Sequence, residues 1–370
     1  MSNLEKSCAY VTLVMINPIY TIGAITLAQS LKKTQTKYDL VCMVSNDIYD
    51  ECKNILLKHF TSVISIEYVQ IETKPFKLKK QKSIYGSWID KSYTKLSAMV
   101  LSNYNKVCIL DADMVIINNI DHLFNLQTPV GVFSNHWFDN IKPSKSKNKH
   151  TTKNVYNTKT CNYYMDISPY ELITPAIIHN ALSNNGFVSS GNLIVLKPDK
   201  QEFDEMISVL YNLQPFGFNC SSGCDEQSIC YYQSIIKKRN WTCLKQPYNV
   251  IPWKLKETLL LSNIQKLKQS TLINGSEELH YKPYVIHFNM TPKPWETNRN
   301  KWIDNEIWWA YAMSIPNIKQ ICLSFESFSA KIIQFDFNLG YCPYCYVLYN
   351  NNILHNLFDC RNLYLRQMVL

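Results

Sequence analysis

Glycine is scarce in this chain of 370 residues, which contains only 9 of them. None of them forms a G-x-G-x-x-G pattern after the first apolar run, and this argues against a dinucleotide site of the NAD type. The chain also lacks a run of about 18 apolar residues, so no membrane span is expected. Residues 1–7 are polar and do not resemble a signal peptide. With 13 cysteines and no secretion signal, we expect reduced thiols and a cytoplasmic protein.

Charged residues make up 18% of the chain and hydrophobic residues 46%, which is typical of a globular protein. The net charge of +9 favours an anionic ligand. Most lysines are dispersed along the chain, and the lysine-rich stretch 142–159 is typical of a solvated loop. Because no clustered basic groove is present, we do not expect nucleic acid as a partner.

Apolar runs and helical patterns alternate in the first 71 residues. Strands are predicted at 9–16, 39–45 and 63–71, with helices at 23–31 and 48–59. This βαβαβ order predicts a parallel sheet with right-handed crossovers. Ligands of such sheets bind beyond the carboxyl ends of the strands.

The same reasoning extends to residue 288. A short helix at 95–101 leads into an apolar run that ends at Asp111. The stretch from Ser221 to Ile229 opens another predicted helix, which runs through Tyr232 and has Asp225 as its candidate N-cap. The remaining predicted elements are strands at 129–134, 186–196 and 284–288 and helices at 174–182 and 201–213.

Two carboxylates follow the apolar run Val107–Leu110. In an extended backbone the side chains of Asp111 and Asp113 lie on the same side, so both can face one point. Such a pair suits Mg²⁺ or Mn²⁺. The alternative is structural, with Asp111 starting a turn and Asp113 solvated. A metal-dependent nuclease built on this pair is a weaker hypothesis.

Several short motifs occur in a fixed order. They are Tyr20-Thr-Ile-Gly-Ala, Thr94-Lys95-Leu96, Leu110-Asp111-Ala112-Asp113, Ser190-Gly191, Asp225-Glu226-Gln227, and His287-Phe288 followed by Lys293-Pro294-Trp295. In this order and spacing the chain resembles family 8 glycosyltransferases of the glycogenin-like type over residues 8–312. It is similar to the glycogenin-like proteins of large insect DNA viruses.

The resemblance implies an α/β fold: a glycosyltransferase-A type single Rossmann-like nucleotide-binding domain with a mostly parallel mixed central sheet. The catalytic domain would span residues 1–312, followed by a C-terminal extension at 313–370. The implied activity is a retaining, Mn²⁺-dependent transfer of a hexose from a UDP-sugar, with glucose expected. The acceptor would be a sugar, glycan or protein, and a homodimer is the expected assembly. The alternative is a catalytically weak UDP-sugar-binding protein that acts through partners.

The resemblance also assigns roles to residues. Asp111, Asp113 and His287 would hold Mn²⁺, with Mg²⁺ as the other candidate. Tyr20 would stack on uracil, and Lys95 and Lys293 would contact the pyrophosphate or the sugar. Further contacts with the nucleotide sugar are implied at Thr12, Leu13, Ala112, Ser190, Gly191 and Met290. The catalytic positions are Asp225, Glu226 and Gln227.

Three departures from the family pattern affect these roles. The family commonly has Asn where this chain has Ser189, and Gly where it has Met290. The family's Asp-Gln pair is replaced by Asp225-Glu226-Gln227, so either acid can fill the acidic role. A retaining reaction then proceeds by front-side attack or through a covalent intermediate on one of these two acids. Lys91 is a candidate substitute for an Arg of the family.

The extension contains four residues that suit one tetrahedral Zn²⁺ site, Cys342, Cys345, His355 and Cys360. Buried reduced cysteines are the alternative interpretation.

Overall fold

The structure, a computed structural model, describes residues 7–76, 79–133, 163–164, 167–184, 188–213, 223–252, 283–296 and 303–325. The candidate zinc residues of the extension and the lysine-rich stretch 142–159 lie outside these ranges. Among the described residues, none of the helices is both long and apolar enough to cross a bilayer.

The described strands and helices alternate through most of the chain. The strands are β1 Ala9–Val14, β2 Asp39–Ser45, β3 Ser62–Ile66, β4 Val107–Leu110, β5 Met114–Ile116, β6 Val130–Val132, β7 Leu172–Ile173, β8 Ser190–Leu196, β9 Trp241–Leu244 and β10 Val285–His287. The α-helices are α1 Tyr20–Lys33, α2 Tyr49–Leu56, α3 Lys79–Tyr85, α4 Pro175–Ser183, α5 Lys200–Asn212, α6 Cys224–Tyr231, α7 Ile303–Ala312 and α8 Ile318–Leu323. A 3₁₀ segment covers Ile89–Val100, and a π-helical turn, Tyr232–Ile236, continues α6.

The central sheet has eight strands in the order β3-β2-β1-β4-β8-β6-β9-β7. Strands β3, β2, β1 and β4 pair in parallel, as do β6 and β9. Strand β8 runs antiparallel to both of its neighbours, and β7 is antiparallel to β9. The sheet confirms the predicted α/β class with a mostly parallel mixed sheet.

Both faces of the sheet are covered, which explains why β1 reads as a continuous apolar run. Tyr10 and Val14 point into a core with α1, α2 and α7. Ala9 and Val11 point the other way, into a core with the 3₁₀ segment, α4, α5 and α6. The period of two along a strand divides these side chains between the two layers.

Several predicted boundaries differ from the structure. Helix α1 begins at Tyr20, three residues before the predicted start, because Asn17 and Pro18 start the first turn and Asn17 Oδ1 accepts a hydrogen bond from the Ile19 amide at 3.0 Å. The predicted helix at 95–101 is the tighter 3₁₀ segment, and β3 ends at Ile66. Asp225 is not an N-cap: α6 begins at Cys224, and Asp225 lies in its first turn.

Strand β5, which follows Asp113 immediately, is not predicted from the sequence pattern. It pairs antiparallel with β10 in a separate two-stranded ribbon. Three residues are too short to produce a recognisable period.

The beginning of the predicted extension packs on the domain. Ile315, Ile318, Cys322 and Phe325 are buried in the same core as α1. Because this core includes residues beyond 312, the packing does not mark a domain boundary there, and the predicted boundary stays a prediction.

Gly23 allows helix α1 to approach the turn between β4 and β5. A Cβ atom at this position would lie 2.7 Å from the Ala112 carbonyl oxygen and 2.7 Å from the Trp295 indole. Real Cβ contacts do not come this close, and one of the two obstacles is backbone. A side chain at residue 23 would therefore push α1 away from this turn.

We expect Gly23→Ala to lower the free energy of unfolding by about 1–3 kcal/mol, because the added methyl group overpacks this contact. Denaturant unfolding of both proteins measures the difference. The control is Lys33→Ala, an exposed position on the same helix, which we expect to change stability by less than about 0.5 kcal/mol. Equal stability of Gly23→Ala and the wild type would contradict the close approach.

Candidate active site

Asp111 and Asp113 lie in a tight turn between β4 and β5 rather than in an extended strand end. The Asp111 amide donates to the Asn192 carbonyl at 3.1 Å and so extends the pairing of β4 with β8. Ala112 between them is buried, as is Asp113. Although the predicted backbone was wrong, the carboxylates still converge because the turn is anchored on both sides.

The register of β10 against β5 brings His287 to this turn. His287 pairs with Met114, the residue after Asp113. The amide of the next residue, Phe288, donates to the Asp113 carbonyl at 2.9 Å. Antiparallel pairing thus places the imidazole beside the carboxylates although it lies far away in sequence.

One ligand atom from each of Asp111, Asp113 and His287 lies within 4.8 Å of the other two. His287 Nε2 is 3.3 Å from Asp113 Oδ1 and 3.9 Å from Asp111 Oδ2. Asp113 Oδ1 is buried and accepts no hydrogen bond from the described part of the chain. A buried carboxylate oxygen that lies beside an imidazole nitrogen and accepts no hydrogen bond from the described residues fits a divalent cation.

A lysine occupies the other oxygen of each carboxylate. Lys95 Nζ is 3.0 Å from Asp111 Oδ1, and Lys293 Nζ is 2.5 Å from Asp113 Oδ2. Burial alone would raise the pKa of the Asp113 carboxyl, but the charges of Lys293 and His287 outweigh it and hold that pKa well below its usual range. The lysines therefore leave the remaining oxygens turned toward His287.

Lys95 also joins this pair to helix α6. Its ammonium group lies 3.1 Å from Asp225 Oδ2 and donates to the Gly191 carbonyl at 3.3 Å. Burial lowers the pKa of Lys95, but Asp111 and Asp225 more than compensate, so that the pKa lies above its usual value.

The two candidate acids have different surroundings. Glu226 accepts a hydrogen bond from the Gly191 amide at 2.7 Å, and its side chain covers Gly191 and Gly223, where a Cβ atom would clash. Burial, together with the charge of Asp225, raises the pKa of Glu226 from its usual 4.5 to about 8. Gln227 is buried, and its amide donates to the Gly223 carbonyl at 3.2 Å.

The structure brings Tyr20 to the same region. Its ring meets that of Trp295 edge to face at a centroid distance of 5.2 Å, next to Lys293. Burial raises the pKa of Tyr20 to about 12, so its hydroxyl stays protonated at neutral pH. Met290, three residues after His287, is exposed.

Other predicted contact residues lie on β1 and β8. Thr12 is buried and Leu13 half-buried, both within β1 rather than at its end. Ser190 begins β8, and Gly191 lies under Glu226. Ser189, where the family commonly has Asn, faces Gly131, and its hydroxyl would lie 2.1 Å from a Cβ atom placed there.

Sequence reasoning missed Asn249, which contacts the metal candidate His287. Asn249 Oδ1 lies 3.0 Å from His287 Nδ1. It follows a 3₁₀ turn, Gln246–Tyr248, and no chemical pattern around it distinguishes it from other asparagines. Asn249 can be identified as a neighbour of the site only from the structure, in which the pairing of β10 places His287 beside it.

Comparison with known proteins agrees with these geometric observations. The family model described as Glycosyl transferase family 8 matches residues 11–165. Protein R707 of Acanthamoeba polyphaga mimivirus is 30% identical over 295 residues, which cover 78% of this chain and 83% of that protein. The chain belongs to glycosyl transferase family 8. It is therefore a glycosyltransferase by family.

Two further matches are narrower. UDP-glucuronate:xylan alpha-glucuronosyltransferase 1 of Arabidopsis thaliana is 31% identical over 121 residues, covering 33% of this chain and only 17% of that protein. The solved WbbM bifunctional glycosyltransferase aligns at 13% identity with a TM-score of 0.49, covering 88% of this chain and 53% of that one. A similarity at this level does not establish an activity.

The raised pKa of Glu226 predicts a pH-dependent difference in stability. Between pH 4.5 and about 8 the folded protein holds a proton on Glu226 that the unfolded chain releases, so the wild type loses stability as the pH rises through this window. Glu226→Gln has no such loss. We expect its melting temperature to be close to that of the wild type at about pH 5 and higher at about pH 9.

Thermal melts of both proteins across this pH range test the prediction. Glu51→Gln, an exposed position on α2, is the control and should show a small, pH-independent offset. A difference between Glu226→Gln and the wild type that does not change with pH would refute the raised pKa.

Proposed function

We propose that this chain is a retaining hexosyltransferase that moves a sugar from a UDP-sugar to an acceptor hydroxyl with the help of Mn²⁺. The observation that carries the proposal is the convergence of Asp111, Asp113 and His287 around a buried carboxylate oxygen of Asp113 that accepts no hydrogen bond from the described residues. The acceptor is a sugar, glycan or protein, and we expect a homodimer.

Asp111, Asp113 and His287 would hold the cation. Carboxylate oxygens suit both Mg²⁺ and Mn²⁺, and an imidazole nitrogen shifts the preference toward the transition metal. When bound, the cation supplies Lewis-acid stabilisation of the charge that develops on the departing nucleotide.

Two lysines support a diphosphate as the leaving group. Lys95 and Lys293 place ammonium groups beside the carboxylate pair, and both are largely withdrawn from water. Positive charge in a poorly solvated site interacts strongly with phosphate oxygens. These lysines exchange a carboxylate partner for phosphate oxygens without leaving the site.

The proposed donor base is uracil. Tyr20 lies at the start of α1 near Lys293, and its ring packs edge to face against Trp295. A half-buried aromatic ring held in this way suits stacking on a base. The name of the xylan glucuronosyltransferase relative includes a UDP-sugar donor, which supports the same choice. Glucose is proposed from the resemblance to glycogenin-like proteins.

Asp225 is our choice for the acid nearest the reaction. It forms an ion pair with Lys95, which also contacts Asp111, so it is linked directly to the proposed metal ligands. Glu226, whose pKa is about 8, carries a proton at neutral pH. A protonated carboxyl is a poor nucleophile but a good hydrogen-bond donor, so we assign Glu226 to a sugar hydroxyl.

The decisive experiment measures UDP release from a panel of UDP-sugars, with Mn²⁺ and with EDTA. We expect release from one preferred sugar to depend on Mn²⁺ and to fall by roughly 100-fold or more in Asp113→Asn, because the cation supplies several kcal/mol. The Asn variant preserves the shape of the side chain, which avoids leaving the buried Lys293 beside a cavity.

Asp204→Asn is the matched control, since Asp204 is an exposed residue on α5 paired with Lys200. It should release UDP at the wild-type rate. Equal rates in wild type and Asp113→Asn would refute the proposal. UDP binding without release from any sugar, in the presence of candidate acceptors, would instead support the UDP-sugar-binding alternative.

A further inference from the structure

Four buried side chains form a chain of hydrogen bonds behind the metal candidate His287. Asn249 Oδ1 lies 3.0 Å from His287 Nδ1, and Asn249 Nδ2 donates to Ser190 Oγ at 3.2 Å. Ser190 Oγ in turn donates to Asn192 Oδ1. We call this chain, from His287 through Asn249 and Ser190 to Asn192, the polar relay.

The side-chain amide orientations in the structure give the relay one direction. An amide oxygen can only accept, so the contact with Asn249 Oδ1 requires the hydrogen of His287 to be on Nδ1. The Asn249 amide nitrogen then donates to Ser190, whose hydroxyl is free to donate onward to Asn192. The direction of the whole relay therefore selects one tautomer of His287.

The selected tautomer is the one that a metal needs. With the hydrogen on Nδ1, the lone pair of Nε2 points toward Asp113 Oδ1 at 3.3 Å and Asp111 Oδ2 at 3.9 Å. Reversing the relay would turn the Asn249 NH₂ toward Nδ1 and move the imidazole hydrogen to Nε2. That hydrogen would then occupy the position of the cation.

We propose that Asn249 is a positioning residue that, together with Ser190 and Asn192, fixes His287 in its metal-binding tautomer. This inference rests on the proposed function, because it concerns the same cation site. All four relay residues are buried, with exposed fractions between 2% and 8%, so water does not compete for these bonds. Outer partners of metal-binding histidines act in this way in other proteins.

The relay also connects two parts of the site. Ser190 begins β8 and precedes Gly191, whose amide donates a hydrogen bond to Glu226. Asn249 precedes Val250, which pairs with Ile286 of β10. A hydroxyl that belongs to the proposed sugar pocket thus contributes to the orientation of a metal ligand. Ser190→Ala should weaken metal binding even in the absence of a donor.

The test uses the full-length protein without nucleotide and two measurements. The first is Mn²⁺ affinity, by electron paramagnetic resonance. The second is the tautomer of His287 in metal-free protein, by ¹⁵N NMR of labelled histidine under mildly alkaline conditions, with the signal assigned from His287→Gln. We expect Nδ1–H in the wild type, loss of this preference in Asn249→Leu, and a Kd for Mn²⁺ that is about 10–100-fold higher.

Asn249→Asp retains an oxygen that accepts from Nδ1–H, so it should keep the tautomer and most of the affinity. Asn305→Leu is the control for losing a buried amide, on helix α7, and should leave both measurements unchanged. Circular dichroism confirms that each variant is folded. If Asn249→Leu does not fold, Ser190→Ala carries the test, with a smaller rise in Kd and a weaker preference for Nδ1–H.

The two measurements separate this inference from the proposed function. Wild-type Mn²⁺ binding with an Nε2–H tautomer, or with unchanged affinity in both Asn249→Leu and Ser190→Ala, would overturn the relay and leave the metal site in place. An Nδ1–H tautomer that the variants lose, in a protein that does not bind Mn²⁺, would support the relay and refute the proposed metal.

Discussion

The site depends on keeping two carboxylates together in a poorly solvated turn. Ligand atoms of Asp111 and Asp113 lie within 4.8 Å of each other, and two unit charges at that distance repel by roughly 3 kcal/mol at an effective dielectric constant of about 20. Each carboxylate gives one oxygen to a lysine and turns the other toward His287. This division lowers the repulsion and also leaves a set of donor atoms that face one point.

Several elements of the fold supply the side chains that surround this turn. The 3₁₀ segment supplies Lys95, the β10 ribbon supplies His287, and the loop after β10 supplies Lys293. Helix α1 packs directly on the turn because Gly23 has no side chain. Charges from distant parts of the chain are thus fixed by backbone pairing and by close packing, which gives the site its geometry before any ligand binds.

Local patterns were sufficient for the first three strands, for the acidic pair and for the α/β class. The resemblance to a family added His287 and Lys293, which periodicity alone would not have distinguished from a core histidine and a solvated lysine. Neither route found β5, the ion pair of Lys95 with Asp225, or Asn249. These features arise from the register of short strands and from contacts between distant segments, so no local sequence period encodes them.

The charge balance of the site explains why donor and cation should depend on each other. Among the described residues, Asp111, Asp113 and Asp225 form ion pairs with two lysines, Lys95 and Lys293, and Glu226 adds no charge at neutral pH because its pKa is about 8. Counted without His287, the set carries one net negative charge and repels a diphosphate. A divalent cation changes that balance to one net positive charge. Without a cation, lysines that turned to a diphosphate would leave the carboxylates with no positive partner. With a cation bound, the carboxylate oxygens and the phosphate oxygens both have positively charged partners.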